Sequence, residues 1–274
     1  MNNFLQRTLS GALYTAILMG GIWWKPQLFV ALLFLLQLMC LIETLTLLNL
    51  NRVLPRTLAF FLGLAGFSLM AWHFIEKWQA PAWLTNVFLM TGALHVLALM
   101  YITFMPSMRV RLIKVDWLHA TLYTLFPFTA PLLIFHLDSD YKLLMTLVFV
   151  LIWVHDTFAY LVGKWLGKTP LIERLSPKKT VEGLAGGVVF TLLVAALVIP
   201  AFTPKVGPVA MMGMAIIAIA GSVIGDLYES KLKRRAEVKD SGWLIPGHGG
   251  ILDRLDSFLF VMPLMAVYYY LFLL

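Results

Sequence analysis

The chain is short of charge and almost without cysteine: of 274 residues, 13% are Asp, Glu, Lys or Arg, and Cys40 is the single thiol. A soluble domain carries about 25% charged residues, so a water-soluble enzyme is excluded. One cysteine inside an apolar run forms no internal bridge, which excludes a disulfide-stapled secreted module and leaves the redox compartment unread. The chain also lacks low-complexity stretches, a sustained internal repeat and a heptad seam, and it has no disordered-tail composition. What it has instead is apolar bulk, with 61% hydrophobic residues, 14% aromatic residues and a mean hydropathy of +0.86.

A membrane-spanning helix needs about 20 mostly apolar residues to cross roughly 30 Å of hydrocarbon while satisfying its own backbone hydrogen bonds. Segments meeting that demand run over about 8–24, 27–50, 57–75, 84–104, 117–137, 142–163, 184–202, 208–228 and 257–274. The expected fold class is therefore all-α, a polytopic integral membrane protein of about nine transmembrane helices. The first segment has no A-x-A-like cleavage site and is followed by further spans, so it reads as an anchor and not as a signal peptide. Two regions are expected: residues 1–115 with about four helices, and residues 116–274 with the chemistry and two long cytoplasmic loops, 163–183 and 229–256.

The positive-inside rule then sets orientation. A cytoplasmic N-terminus puts Arg7, Arg52, Arg56, Arg109, Arg111, Lys114 and both long loops inside, which is 17 of the 21 Lys and Arg. The other side receives Lys25, Lys77, Lys142 and Lys205, with Glu76, Asp138 and Asp140. The net charge of +7 is thus mostly a topology signal and calls for no nucleic-acid partner; the remainder suits anionic headgroups or phosphates. The charge is also clustered, since 19 of the 35 charged residues fall in 163–182 and 226–256.

In the first window, Asp156, Tyr160 and Lys164 stand at i, i+4 and i+8 on one helix face. An ionisable residue inside an apolar run is expensive and points to a functional site; the alternative is a carboxylate that merely locks the bundle. Ser176-Pro-Lys178-Lys179-Thr180-Val-Glu182-Gly183 follows. Ser before Pro is a helix-start signal, and lysines at such an end form a phosphate cradle; the alternative is a capped helix whose lysines mark the cytoplasmic side.

In the second window, Asp226 and Glu229 lie one turn apart, and Asp253 and Asp256 repeat the i, i+3 spacing at the next span. Four carboxylates without cysteines suit a hard, oxygen-seeking cation such as Mg²⁺. Against this stands a charge network with Arg234, Arg235 and Arg254. Between the pairs lie Ser230-Lys-Leu-Lys233-Arg234-Arg235, then Lys239-Asp240-Ser-Gly242, then Pro246-Gly247-His248-Gly249-Gly250. Glycines flanking His248 let a backbone approach a ligand closely. The other histidines, at 73, 95, 119, 136 and 155, read as packing or interfacial residues, and Glu43, within the second span, reads as a helix–helix hydrogen bond.

The run from Ser230 to Asp256, through Lys239-Asp-Ser-Gly-Trp-Leu-Ile-Pro-Gly-His-Gly-Gly-Ile-Leu-Asp253-Arg-Leu-Asp256, closely resembles the signature of the phosphatidate cytidylyltransferases, or CDP-diglyceride synthases. Gly225-Asp226-Leu-Tyr-Glu229-Ser230, Asp156-Thr-Phe-Ala-Tyr160 and Ser176-Pro-Lys-Lys-Thr-Val-Glu-Gly183 resemble it too. Glu237 departs from the family's frequent glycine, and the first hundred or so residues match only in layout. The resemblance implies Mg²⁺-dependent transfer of a cytidylyl group from CTP to phosphatidic acid. The products would be CDP-diacylglycerol and pyrophosphate for phospholipid biosynthesis, made at the cytoplasmic face of a bacterial inner membrane.

On that basis Asp226, Asp253 and Asp256 are expected at the metal centre, with Glu229 and Asp156 as further ligands. Lys233, Arg234 and Lys239 would neutralise the triphosphate. Ser176, Lys178, Lys179 and Thr180 would hold phosphate, with Glu182 and Tyr160 in the same substrate-binding set. His248 would contact the nucleotide, and Asp240 would orient a basic residue. Whether a second, monovalent cation completes the site stays open, as does the oligomeric state, a homodimer being one option. The competing readings are transfer to an ether-linked lipid phosphate, a secondary transporter using Asp156, Glu43 and Asp226, and a catalytically silent scaffold. The long signature argues against the first. Transporters tend to use broken midplane helices and repeated halves, and neither is found here.

Overall fold

The computed structural model describes residues 3–75, 82–105, 115–138, 140–202, 206–244 and 249–273, side chains at 3–9, 75, 82, 201 and 202 excepted. Arg7's side chain, Glu76, Lys77, Arg109, Arg111, Lys114, Lys205, Pro246, Gly247 and His248 therefore lie outside the described residues.

The helices are α1 (Asn3–Trp23), α2 (Pro26–Leu47), α3 (Val53–Ile75), α4 (Ala82–Phe104), α5 (Asp116–Leu137), α6 (Tyr141–Leu166), α7 (Val181–Leu193), α8 (Ile199–Phe202), α9 (Pro208–Arg235) and α10 (Leu252–Phe272). A π turn over Val194–Val198 joins α7 to α8, just ahead of Pro200, whose ring nitrogen has no hydrogen to donate back along the helix. Among the described residues eight helices are long and apolar enough to cross a membrane, and α1 adds a shorter apolar stretch, Ser10–Trp23. The chain is thus an all-α polytopic membrane protein, as its apolar runs predict.

Burial separates the layers. In α5, 78% of the apolar window is buried inside the protein, and in α10 61%, against 17% in α3; α5 and α10 form the centre and α3 faces lipid. Around them α9 packs on α10, α2 and α3 on α5, and α7 on α6. Phe258 of α10 ties the centre together, with its ring centroid 5.3 Å from Phe128 of α5 and 5.5 Å from Phe149 of α6. Lipid tails are as apolar as leucine, so close packing and interhelical hydrogen bonds hold such a bundle. His119 of α5 meets the Tyr228 hydroxyl of α9 at 2.9 Å, both buried.

Two expectations about the charged windows are corrected. Ser176-Pro177 does not open a helix: Pro170–Ile172 (β1) and Ser176–Thr180 (β2) pair as an antiparallel hairpin, Pro170 opposite Thr180 and Ile172 opposite Ser176. A two-strand ribbon has only edge strands, which tolerate proline's missing N–H. The cap is Thr180, whose hydroxyl accepts from the Gly183 amide at 3.1 Å, so the helix starts at Val181.

The second correction concerns Glu229–Arg235, expected in a loop. These residues continue α9, whose 28 residues span about 42 Å at 1.5 Å per residue, longer than roughly 30 Å of hydrocarbon. Specific contacts hold this polar extension in helical form. Lys231, fully buried, donates to the carbonyls of Ile102 at 2.6 Å and Met105 at 3.3 Å, at and just past the C-terminus of α4, where carbonyls run short of helical amide partners. Arg234 Nε donates to the Leu175 carbonyl in the hairpin at 3.3 Å.

Candidate active site

The two windows converge on one cavity of about 620 Å³. Asp156, Tyr160 and Lys164 line it from one face of α6, in agreement with their i, i+4, i+8 spacing. Opposite them β2 supplies Ser176, Lys178, Lys179 and Thr180. The floor is closed by Asp226 of α9 and by Asp253, Arg254 and Asp256 of α10.

Small residues let these elements come so close. A Cβ on Gly183 would lie 2.7 Å from the Ala159 carbonyl and 3.0 Å from Gly163 Cα, so the start of α7 sits directly on α6. On the other wall Gly225 of α9 abuts the backbone carbonyl of Asp256, which brings the α9 and α10 carboxylates together.

Asp226, Glu229 and Asp256 each offer a carboxylate oxygen, and the three oxygens lie within 4.8 Å of one another. Oxygens on opposite sides of a bound Mg²⁺ stand about 4.2 Å apart, and of Ca²⁺ about 4.8 Å, so the spacing suits a hard divalent cation. Glu229 adds a second sign of fit: its side chain is buried and its Oε1 has no hydrogen-bond partner, an arrangement that burial normally penalises.

Cations surround the acids. Lys179 of β2 forms an ion pair with Asp226 Oδ2. Lys233 bridges two carboxylates, with Nζ 2.6 Å from Glu229 Oε2 and 2.7 Å from Asp253 Oδ1. Asp253 is thus linked to Glu229 through Lys233 but is not among the three acids whose oxygens cluster. Its Oδ2 accepts from the Ser241 amide at 2.8 Å, the Ser241 hydroxyl at 2.9 Å and the Gly250 amide at 2.8 Å, which places it in the loop's hydrogen bonding. Gly249 next to this carboxylate has φ of +85°, the left-handed conformation that glycine adopts without strain.

A second cavity of about 340 Å³ meets the same acids from the other side. Asp156, Asp253, Arg254 and Asp256 line both cavities, and the second adds Ser10, Gly11, Tyr14 and Thr15 of α1. Asp156, Asp253 and Asp256 thus sit where two cavities share a wall.

The remaining expected residues fall elsewhere. Glu182 turns away to accept from the amides of Lys168 and Thr169 at 3.1–3.2 Å. Arg234 is tied to the hairpin carbonyl already described, and Lys239 and Asp240 are exposed and line neither cavity. His248 lies outside the described residues.

Arg254 and His155 escape the sequence reading as site residues, and Glu43 makes the interhelical hydrogen bonds expected of it, but at the site. Arg254 lines both cavities, and its position between Asp253 and Asp256 was the available signal. His155, buried in the wall of the larger cavity, adjoins Asp156. Glu43, buried on α2, bonds to the segment that carries Asp253; an acid in an apolar span was its signal.

Known proteins resemble this chain in sequence. The chain is 48% identical over 116 residues, 42% of its length, to "Phosphatidate cytidylyltransferase" of Bacillus subtilis (strain 168). It is 50% identical over 134 residues, 48% of its length, to the protein of that name from Synechocystis sp., and 44% identical over 119 residues, 43% of its length, to that from Staphylococcus aureus (strain COL). The matched stretches span 43%, 44% and 46% of these three relatives, less than half of each. The profile of the cytidylyltransferase family matches residues 5–272, nearly the whole chain, and the chain belongs to that family.

Proposed function

We propose that this protein transfers the cytidylyl group of CTP to phosphatidic acid, releasing pyrophosphate and forming CDP-diacylglycerol, with its site facing the cytoplasm of a bacterial inner membrane. One observation carries the reading: of the carboxylates suited to a divalent cation, Asp226 and Asp256 line a cavity bearing lysines, and Asp256 also lines a second cavity reaching α1. The names of the relatives supply the substrate class.

A phosphate oxygen of phosphatidate attacks the α-phosphorus of CTP as the α–β bridging bond breaks, and pyrophosphate departs with that bond's electron pair. The attacking oxygen is already ionised and needs no general base. The barrier lies in bringing two polyanions together, so positioning and electrostatic stabilisation are what a site must provide. Lys164, Lys178 and Lys179, with the hydroxyls of Ser176 and Thr180, would bind the triphosphate in the larger cavity. Lys233 fixes Glu229 and Asp253, and Arg254, reaching both cavities, would hold the lipid phosphate in line. Asp226, Glu229 and Asp256 would hold Mg²⁺, which when bound neutralises charge on the transferring phosphate.

Geometry also suits the differing origins of the substrates. CTP reaches the larger cavity from water, while phosphatidate approaches between α1 and α6 with its acyl chains still in the bilayer.

Purified protein in detergent with labelled CTP, phosphatidic acid and Mg²⁺ tests the reaction, scoring CDP-lipid and pyrophosphate together. Equal amounts of both are expected, and neither under conditions that suit a known cytidylyltransferase overturns the reading. An ether-linked lipid phosphate in parallel decides the acceptor. Sidedness follows from sealed vesicles, since CTP added outside should react only with inside-out membranes.

A further inference from the structure

We propose that Glu43 on α2 is a positioning residue for this reaction, a carboxylate that fastens the Ser241 loop to the first turn of α10 and so fixes where Asp253 and Asp256 stand. Its catalytic consequence rests on the cytidylyl-transfer reading, whereas the fastening itself does not.

Helix α10 begins without a cap of its own: the residue before it is Ile251, whose side chain has no acceptor. The first amides of a helix lack internal partners and carry the positive end of its dipole. Glu43 supplies the missing acceptor from another helix. Its Oε1 accepts from the Ile251 amide at 3.0 Å, and its Oε2 from the Leu252 amide at 2.8 Å. The same Oε2 lies 2.7 Å from the Ser241 hydroxyl. That hydroxyl is 2.9 Å from Asp253 Oδ2, which also holds the amides of Ser241 and Gly250. Two carboxylates, one from α2 and one from α10, thus grip the same stretch of chain through a shared serine.

The loop's glycines fit this carboxylate. A Cβ on Gly242 would lie 2.5 Å from Glu43 Oε1, and one on Gly250 would collide with Glu43 Oε2 and the Ser241 hydroxyl. The backbone at both positions is therefore pressed against the acid. Glu43 itself is 4% exposed. Asp253 and Asp256 follow within five residues of Ile251, on the same stretch of helix. A shift of the first turn of α10 displaces both, and misplacement of about 1 Å can cost about 10²-fold in rate.

Amide exchange and kinetics on the full-length protein in detergent test this together. In Glu43→Gln, one oxygen becomes an NH₂ group that faces a donor. Exchange in peptides spanning 241–252 should quicken by at least about tenfold, the order expected for losing a charge-assisted hydrogen bond. In the folded, monodisperse fraction kcat should fall by at least about 30-fold while KM for CTP moves by less than about threefold, because alignment is lost and nucleotide contacts are kept. Glu43→Asp, which keeps the charge, should recover part of the kcat. A purely structural glutamate would lower yield and leave kcat of the folded fraction unchanged. Exchange and kcat both at wild-type values in Glu43→Gln overturn the proposal, and so does normal kcat despite faster exchange.

If Glu43→Gln does not fold, Ser241→Ala decides, because it removes the hydroxyl between the two carboxylates and spares the amide bonds; unchanged exchange and kcat there overturn the proposal equally. If the wild-type protein makes no CDP-lipid at all, the transfer reading has failed, and exchange alone still decides whether Glu43 fastens the loop.

Discussion

Lys233→Met removes one charge from between two buried acids. The side chains of Glu229 and Asp253 are 1% and 7% exposed and that of Lys233 17%, so little water is at hand to replace the lost ammonium. Removing one partner of a buried ion pair costs about 3–5 kcal/mol, mostly for the charge left behind. Here the two acids differ. Asp253 keeps its bonds to Ser241 and Gly250, while Glu229 loses the partner of Oε2 and has none on Oε1. The cost therefore falls mainly on one carboxylate and belongs at the lower end, about 3 kcal/mol. At about 2–4 °C per kcal/mol for a chain of this size, the midpoint should drop by about 6–12 °C. Tryptophan fluorescence during heating in detergent reads this directly, the chain having nine tryptophans. Adding Glu229→Gln should restore about half of the loss or more, since the stranded charge is gone. Raising salt to about 0.5 M should leave both midpoints in place, because buried pairs are poorly screened. A midpoint within about 2 °C of wild type for Lys233→Met would refute the argument, and so would a double variant no more stable than the single one.

Other substitutions separate folding from chemistry. Lys231→Met removes a buried donor from the Ile102 and Met105 carbonyls at the end of α4, so stability should fall by about 1–3 kcal/mol, while KM for CTP is unchanged in the folded fraction; an altered KM with full stability would place Lys231 in the site instead. Thr180→Ala removes the α7 cap and should cost about 1 kcal/mol by thermal unfolding, with Thr180→Ser recovering most of it. Gly225→Ala sets a methyl against the Asp256 carbonyl and should lower kcat about tenfold or more through displacement of the acidic cluster. Wild-type kcat in that variant would show that the helices yield there freely. Asp226→Asn should abolish Mg²⁺-dependent turnover with membrane expression intact, and near-full activity would remove Asp226 from the cation site.

Much of the fold is legible because lipid imposes one demand that composition meets visibly. Each apolar run must be helical to satisfy its backbone, so the runs near 27–50 and 117–137 correspond to Pro26–Leu47 and Asp116–Leu137 within a few residues. That demand ends at the headgroups, and legibility ends with it. The polar run after Asp226 reads as a loop by hydropathy, yet Lys231 and Arg234 find carbonyls in α4 and the hairpin and carry the helix on to Arg235. Ser176-Pro177 has the local signature of a helix start, yet pairing with Pro170–Ile172 takes precedence. In both cases partners remote in sequence decide, and local propensity is the weaker force.

The candidate site divides along the same line. Spacing within one helix is readable, so Asp156, Tyr160 and Lys164 come out on a common face and line the cavity together. Relations between helices are not readable, and they separate acids that spacing makes equivalent. Asp253 and Asp256 share the i, i+3 pattern of Asp226 and Glu229, but only Asp256 joins that pair, because Lys233 and the Ser241 loop engage Asp253. Glu43 shows the limit most sharply: the nearest partner of its side chain, Ser241, is 198 positions away in sequence. An isolated acid in an apolar span announces a cost without naming its partner. The partner here is the uncapped start of α10, whose first amides lack helical acceptors and supply the hydrogen bonds a buried carboxylate requires. The two liabilities cancel one another, and in cancelling they tie α2 to the turn that carries the acids.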